Sequence, residues 1–371
     1  MTEEPLSCAV VCFAALLLAG CSNSDEQQYR NDNVVNVYNW ADYIAPDVIR
    51  KFENETGIRV NYDLYDSSEV VDVKLLAGRS GYDVVVHSNQ FSSRLAPIGV
   101  FQPIDKSKLH NYGNLDTQLL KRVGVYEAVL DYNVPYHWGT TGYAWNVEMV
   151  RERLPDHPMD SGDILFDPEV VSKLADCGVS LLDSPTDLFP MVLAYLGLDP
   201  SAIDNESLAA AEAQLNKVRP YIRYFSNSKM LSDLPNREVC VAMSWSGDYA
   251  TAAARAEEAG LGIDLRYTAP REGSGLWVDG LYIPADAQHV DNAYRFIDFL
   301  MRPDIAADIA DFVNYANVNR ASWPLIDPSN YNDDAIFPGE ETWERLFPII
   351  SADPKQERVR TRAFARVKSG L

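Results

Sequence analysis

The sequence predicts an α/β protein with a doubly wound sheet, in two domains. Over residues 34–88, short apolar runs alternate with stretches of helical spacing in the order strand, helix, strand, helix, strand. This alternation is typical of a parallel sheet with helices on both faces. The chain has 371 residues, enough for about two domains.

The elements of this first segment follow from local signals. The strands are alternating or short apolar runs. The helices place apolar residues at helical spacing, after proline or serine at the start and before glycine at the end. The predicted strands cover 35–38, 59–65 and 82–88, and the predicted helices cover 45–57 and 67–78. Because ligands bind beyond the carboxyl ends of such strands, residues 40–43 and Ser88 are candidate site positions.

The pattern changes near residue 132 and predicts a second domain. Two further strands, 238–245 and 275–287, are apolar runs. The predicted helices cover 187–196, 207–217, 248–259 and 291–312.

Charge limits the classes of partner. The formal net charge of −22 argues against nucleic acid and against anionic lipid surfaces, and it suits a cationic ligand. Taken alone, the charge is explained better by an acidic surface that only keeps the protein soluble.

The N-terminus predicts a signal peptide, residues 1–20. Residues 9–20 are apolar but too few to span a bilayer. Small residues precede Cys21 in the run LAGC, which resembles the lipobox of bacterial lipoproteins. The resemblance implies lipidation at Cys21, a flexible lipid-anchored tether over 21–33 and a place in the periplasm or cell envelope. The acidic start, residues 1–4, departs from the usual basic one.

The cysteines indicate one disulfide. Cys8 and Cys12 lie in the predicted signal peptide, and Cys21 is the predicted lipid site. Cys177 and Cys240 remain, an even pair in a chain predicted to be exported. Two buried free thiols are the alternative.

Aromatic residues recur two or three positions from an Asp, each time where a strand is predicted to end. Aromatic faces attract ammonium groups and pack on methylenes, while carboxylates form charge-assisted hydrogen bonds. An alkyl diamine or polyamine needs this combination; a core ring beside a surface cap is the alternative for each group. The groups are Trp40/Asp42/Tyr43, Trp245/Asp248 and Trp277/Asp279.

Signals for catalysis are weak. The five histidines lack metal-ligand spacing, and phosphate-binding, dinucleotide and serine-nucleophile motifs are missing. The sequence therefore predicts a binding protein, with no enzyme activity, cofactor or metal. His87 beside Ser88 fits a packed histidine better than a nucleophile pair.

Together the motifs resemble those of the putrescine/spermidine-binding proteins of bacterial polyamine ABC transporters. The central motifs are YNWADYI (38–44) and SWSGD (244–248), and others follow in order to the C-terminus. The resemblance implies a monomeric, two-lobed periplasmic-binding-protein fold with the ligand between the lobes. Residues 34–138 with 270–316 would form lobe 1, and 139–269 with 317–371 lobe 2.

The resemblance also implies a set of ligand-binding positions. Five rings would wall the slot, four acids would face amines, and Ser88 and the backbone of Ala41 would add polar contacts. The rings are Trp40, Tyr43, Trp245, Trp277 and Tyr315, and the acids are Asp42, Asp187, Asp248 and Asp279. Cys177 and Cys240 match the disulfide positions of the family.

Four positions leave the identity of the ligand open. Ala41 stands where the family has Ser or Thr, and Asp187 where it has Glu, so that Asp187 would act through water. Asp248 is typical of the putrescine type and Trp277 of the spermidine type. A nearby Lys or Arg, or solvent, is the alternative partner for Asp42 and for Asp187.

The predicted function is capture of a polyamine and its delivery to the permease subunits of an inner-membrane ABC transporter. Putrescine is favoured and spermidine comes next; agmatine and cadaverine are other candidate cations. A polyamine sensor that docks on a signalling receptor, or an exported hydrolase, would be the alternatives. Contact with the membrane would occur only through the N-terminal lipid.

Overall fold

The computed structural model describes residues 33–122, 130–350 and 353–370. The predicted signal peptide, Cys21 and the tether up to residue 32 lie outside these ranges. Within them, no helix is both long enough and apolar enough to cross a bilayer.

The strands of the described chain form one mixed sheet. They are β1 Val34–Trp40, β2 Arg59–Tyr65, β3 Val84–Ser88, β4 Asn133–Asn146, β5 Val179–Leu181, β6 Ile222–Phe225, β7 Val241–Trp245, β8 Leu265–Thr268, β9 Ser274–Tyr282, β10 Ala316–Asn317 and β11 Leu346–Pro348.

The α-helices lie between these strands and along the C-terminal part of the chain. They are Pro46–Thr56, Ser68–Leu76, Asn89–Leu95, Thr117–Arg122, Val147–Arg153, Asp163–Phe166, Pro168–Val171, Pro185–Tyr195, Asn205–Val218, Met230–Asp233, Ser246–Glu258, Val290–Leu300, Pro303–Val313, Pro328–Tyr331, Glu340–Glu344 and Pro354–Ser369.

The sheet is parallel at its two ends and antiparallel in the middle. The strand order is β2-β1-β3-β9-β4-β7-β5-β6, and β8, β10 and β11 pair outside this path. Strands β2, β1 and β3 are parallel to one another, as are β7, β5 and β6. Strand β9 is antiparallel to β3, and β4 is antiparallel to both β9 and β7. The α/β class is as predicted, but the parallel sheet is interrupted by two long antiparallel strands.

Buried apolar side chains form two large hydrophobic clusters. The first cluster takes residues between 35 and 138 and between 276 and 349, together with Ala250. The second takes residues between 143 and 243, together with residues 363–367. Strand β4 contributes to both, since Trp138 packs in the first cluster and Tyr143 in the second.

The predicted lobe boundaries remain a prediction. The packing of residues 317–371 is relevant to them. Residues 317–371 were assigned entirely to the second lobe. Val318, Ile336 and Ile349 pack in the first cluster, whereas Phe364 and Val367 pack in the second.

The segment 291–312, predicted to be helical, forms two helices with a break of two residues between them. The first ends at Leu300, and Pro303 begins the second. Proline lacks a backbone N–H and clashes with the preceding turn, so it stops one helix, but it fits the first position of the next.

The predicted disulfide forms between Cys177 and Cys240, whose Cα atoms lie 5.5 Å apart. It links the segment before β5 to the residue before β7, two neighbouring parallel strands of the second cluster.

Candidate functional site

A cavity of about 1200 Å³ lies at the carboxyl ends of six strands, β1–β3 and β5–β7, which form the two parallel ends of the sheet. Each strand contributes its last residue or one within two positions of it, which is where α/β sheets place ligands. These residues are Trp40, Tyr65, Ser88, Asp183, Phe225 and Trp245.

All eleven predicted ligand-binding residues line this cavity. They are Trp40, Ala41, Asp42, Tyr43, Ser88, Asp187, Trp245, Asp248, Trp277, Asp279 and Tyr315. One detail of the prediction is wrong: Trp277 and Asp279 lie inside β9 rather than at a strand end. They reach the cavity because β9 is antiparallel to β3, which places Asp279 opposite Ser88.

Asp279 is a buried carboxylate without a cationic partner. Only 4% of the surface of this residue is exposed to solvent. Ser88 Oγ donates a hydrogen bond to its Oδ1 at 2.5 Å. Burial raises the pKa of Asp279 to about 6, against the opposing effect of that hydrogen bond. Within the described chain, no Lys or Arg forms an ion pair with it.

Asp248, in the first turn of the helix Ser246–Glu258, is a partly buried carboxylate that forms no ion pair within the described chain. The Tyr315 hydroxyl donates to its Oδ1 at 2.9 Å and accepts from its backbone N–H at 3.2 Å. Burial raises the pKa of Asp248 to about 6, and the Tyr315 hydrogen bond opposes the shift. A Cβ on Gly247 would lie 2.5 Å from the Tyr315 ring, so this approach requires glycine.

Asp187 is buried, and both of its carboxylate oxygens accept hydrogen bonds from the protein. It lies in the first turn of the helix Pro185–Tyr195 and is 4% exposed. Its Oδ1 accepts from Thr141 Oγ1 and from Trp245 Nε1, both at 3.1 Å, and its Oδ2 accepts from Ser184 Oγ at 2.5 Å. Burial raises the pKa of Asp187, and these hydrogen bonds oppose the shift.

Asp42 is exposed and has an arginine partner. Its side chain is 72% exposed, and Arg255 Nη2 lies 3.5 Å from its Oδ2. Its φ of 54° is in the left-handed region, where Asp is tolerated better than most residues. In this structure the partner of Asp42 is therefore a basic residue of the protein, the alternative to an amine of the ligand. Ala41 is similarly occupied, since its N–H donates to the Tyr65 carbonyl at 3.3 Å.

The aromatic side chains of the cavity pack against one another in two groups. The Tyr315 ring meets Tyr43 at 5.7 Å and Trp277 at 5.2 Å, both edge to face. Trp40 packs on Tyr65 at 4.4 Å. Aromatic pairs in this geometry stabilise one another, so the rings hold their positions around the cavity.

One face of the helix Ser246–Glu258 contacts segments of the first cluster at three points. Its residues 248, 251 and 255 are spaced i, i+3 and i+7, which places them on one side of the helix. The contacts are Asp248–Tyr315, Thr251–Asn314 and Arg255–Asp42.

Sequence reasoning missed several lining residues. Gln90 lies two positions beyond the end of β3, is 4% exposed, and has no hydrogen-bond partner for Oε1. Phe364 and Lys368 line the cavity from the C-terminal helix. The position of Gln90 after a strand end was a usable signal, whereas nothing local in the sequence marks the C-terminal helix. Within the described residues, no three His, Cys, Asp or Glu side chains are grouped to hold a metal.

Comparisons with known proteins agree over nearly the whole chain. A family model described as bacterial extracellular solute-binding protein matches residues 47–339. The chain is 45% identical to the putrescine-binding periplasmic protein SpuD of Pseudomonas aeruginosa, over 96% of this chain and 97% of that protein. It is also 45% identical to the putrescine-binding periplasmic protein PotF of Escherichia coli, over 91% of each.

A solved structure supports the same relationship. The structure described as a putative spermidine/putrescine ABC transporter from Listeria monocytogenes has a TM-score of 0.80 to this chain at 30% identity. The match covers 91% of this chain and 99% of that one. The predicted fold class is confirmed by this likeness.

Proposed function

Because the chain belongs to the bacterial extracellular solute-binding proteins, among the putrescine-binding and spermidine/putrescine-binding members, we propose that it binds a polyamine in the cavity. Putrescine is the first candidate and spermidine the second. The bound amine is then delivered to the permease of an ABC transporter.

The observation that carries this proposal is the pair Asp248 and Asp279. Both carboxylates line the cavity, and both have a pKa raised by burial. Alkylammonium groups titrate near about 10, so a polyamine enters the cavity charged. A buried charge needs a partner. The two carboxylates have no ion-pair partner among the described residues before the ligand binds, and the ammonium groups of the ligand need carboxylates once they leave water. The rings of Trp40, Trp277 and Tyr315 offer faces to the ammonium groups and the methylenes between them.

The same two carboxylates explain how binding would close the cleft. Asp279 belongs to β9, beside the first cluster, and Asp248 to a helix that follows β7. A diamine that bridges them favours the closed arrangement by its differential affinity for the two states. The three contacts of the helix Ser246–Glu258 would then hold this arrangement.

The lobe division and cellular setting belong to the same proposal. Hydrophobic packing supports a first lobe that continues to about residue 349 and a second that includes the C-terminal helix. The protein would act as a monomer in the periplasm, anchored through lipid on Cys21, and would return the amine chemically unchanged, as a carrier and not an enzyme. Its relatives SpuD and PotF are named as periplasmic binding proteins.

Calorimetric titration of residues 22–371 tests the function. Putrescine, spermidine, cadaverine and agmatine are titrated in turn, and we expect one-to-one binding, tightest for putrescine. Asp279→Asn should weaken binding most, with Trp40→Ala close behind, since the first removes a charge partner and the second a ring face. If none of the four amines gives heat of binding to the wild type, the polyamine proposal is wrong.

A further inference from the structure

We propose that Asp187 positions the Trp245 indole and is not a counter-ion for the ligand. The inference rests on the proposed function, because it concerns which carboxylates meet the ammonium groups. It assigns that task to Asp248 and Asp279 alone, and so fits the cleft to a ligand with two charged ends.

The first argument is the use of lone pairs. An ionised carboxylate has about four acceptor positions. Three on Asp187 are filled from inside the protein, by two hydroxyls and one indole N–H. Asp248 instead accepts one hydroxyl hydrogen bond, from Tyr315, and Asp279 accepts one from Ser88 with the Tyr43 hydroxyl close by, so both keep further acceptor positions for the ligand.

The second argument is the charge behind Asp187. Arg360 is 2% exposed, and its guanidinium donates to Thr186 Oγ1 at 3.0 Å, next to Asp187 in the chain. Its positive charge lowers the pKa of Asp187, against the larger effect of burial. Arg360 is shared with Glu357. Asp187 therefore has a buried cation nearby. The cation that lowers the pKa of Asp248 is Arg255, whose side chain is half exposed and is paired with Asp42.

The third argument is what the indole gains. Trp245 ends β7 and is only partly buried, with its ring at the cavity. Its N–H points to Asp187 Oδ1, and a charge-assisted hydrogen bond is short and directional. The bond fixes the plane of the ring, so that one face is presented to the ligand without a loss of rotamer freedom on binding.

Two substitutions separate a positioning role from a charge role. Asp187→Ala removes the acceptor, so the indole turns and putrescine affinity should fall by about tenfold or more, the loss expected for a buried N–H without a partner. Asp187→Asn removes the charge but keeps an oxygen for the indole and an amide that can donate to Ser184. It should recover most of the affinity that Ala loses.

The matched control is Asp248, where both Asp248→Ala and Asp248→Asn should weaken binding strongly, because there the charge itself is needed. The second readout is the indole N–H resonance of Trp245 in protein labelled with ¹⁵N-tryptophan and assigned with Trp245→Phe. It is recorded without ligand. Asp187→Ala should shift this resonance upfield, and Asp187→Asn should leave it nearer to the wild-type position.

The proposal is overturned if Asp187→Asn loses as much affinity as Asp187→Ala, or if the Ala variant leaves the indole resonance in place. Thermal unfolding of each variant checks that it is folded. If the wild type binds no diamine, the proposed function fails, while the resonance still shows whether Asp187 holds the indole.

Discussion

Putrescine affinity should fall steeply as the pH is lowered through 6. Asp248 and Asp279 have a pKa of about 6 in the unliganded protein, and each must be ionised to pair with an ammonium group. A group of this pKa is about one-tenth protonated at pH 7 and about nine-tenths protonated at pH 5. Because two groups are involved, affinity should fall about 100-fold between pH 7 and pH 5, or about 2.7 kcal/mol.

The direction follows from linkage. Both pKa values are raised by burial, and an ammonium partner lowers them again, so the complex holds fewer protons than the free protein. Binding should therefore release about one proton in total at pH 6, half from each carboxylate, and almost none at pH 8. Calorimetry in two buffers with different enthalpies of ionisation measures the number of protons directly.

A variant with one carboxylate fewer provides the control. In Asp248→Asn, only Asp279 titrates in this range, so the decrease between pH 7 and pH 5 should shrink to about tenfold. Affinity that stays constant from pH 7 to pH 5 in the wild type, or binding at pH 6 without proton release, would refute the reasoning.

Three further predictions concern stability and packing. Asp279→Asn should raise the free energy of unfolding of the unliganded protein by about 3 kcal/mol at pH 7.5. The folded pKa of about 6 lies above the ordinary 3.8, so the wild type loses stability as the pH rises from 3.8 to 6. The gain should nearly disappear in urea titrations at pH 4, and an equal gain at both pH values would contradict this cause. Replacing Cys177 and Cys240 by Ala should lower the free energy of unfolding by about 4 kcal/mol, because the disulfide closes a loop with a sequence separation of 63 residues. Putrescine affinity is the control and should not change. A loss of stability under about 1 kcal/mol in urea titrations would contradict this prediction. Gly247→Ala should weaken putrescine binding by about tenfold in calorimetry, because the new Cβ would lie 2.5 Å from the Tyr315 ring. Gly113→Ala is the matched control, since the space around Gly113 is open. Equal affinity in the two variants would contradict the packing argument.

Sequence reasoning succeeded where the signal was local. The ends of β1, β3 and β7 are marked by a change from apolar residues to Trp40, Ser88 and Trp245, and the parallel strands bring those ends together. Pro303 was also a usable signal for a break, since proline stops a helix. It was overlooked because the residues on both sides have strong helical spacing.

It failed where the answer depends on pairing between distant segments. The antiparallel insertion of β9 beside β3 joins residues almost 200 positions apart, and this pairing puts Asp279 next to Ser88. The arginine beside Asp42 is 213 positions away. No periodicity or capping rule reports such contacts, so the surroundings of each acid had to come from the structure.

The shared strand β4 and the discontinuous clusters also dictate when the chain can fold. The first cluster needs Val37 and Ile349, and the second is closed by Phe364 and Val367. Neither core can be completed before nearly all of the polypeptide has left the ribosome, and contacts so distant in sequence form slowly. In a growing chain of this design, the strands made first therefore wait for residues near the C-terminus before their core is closed.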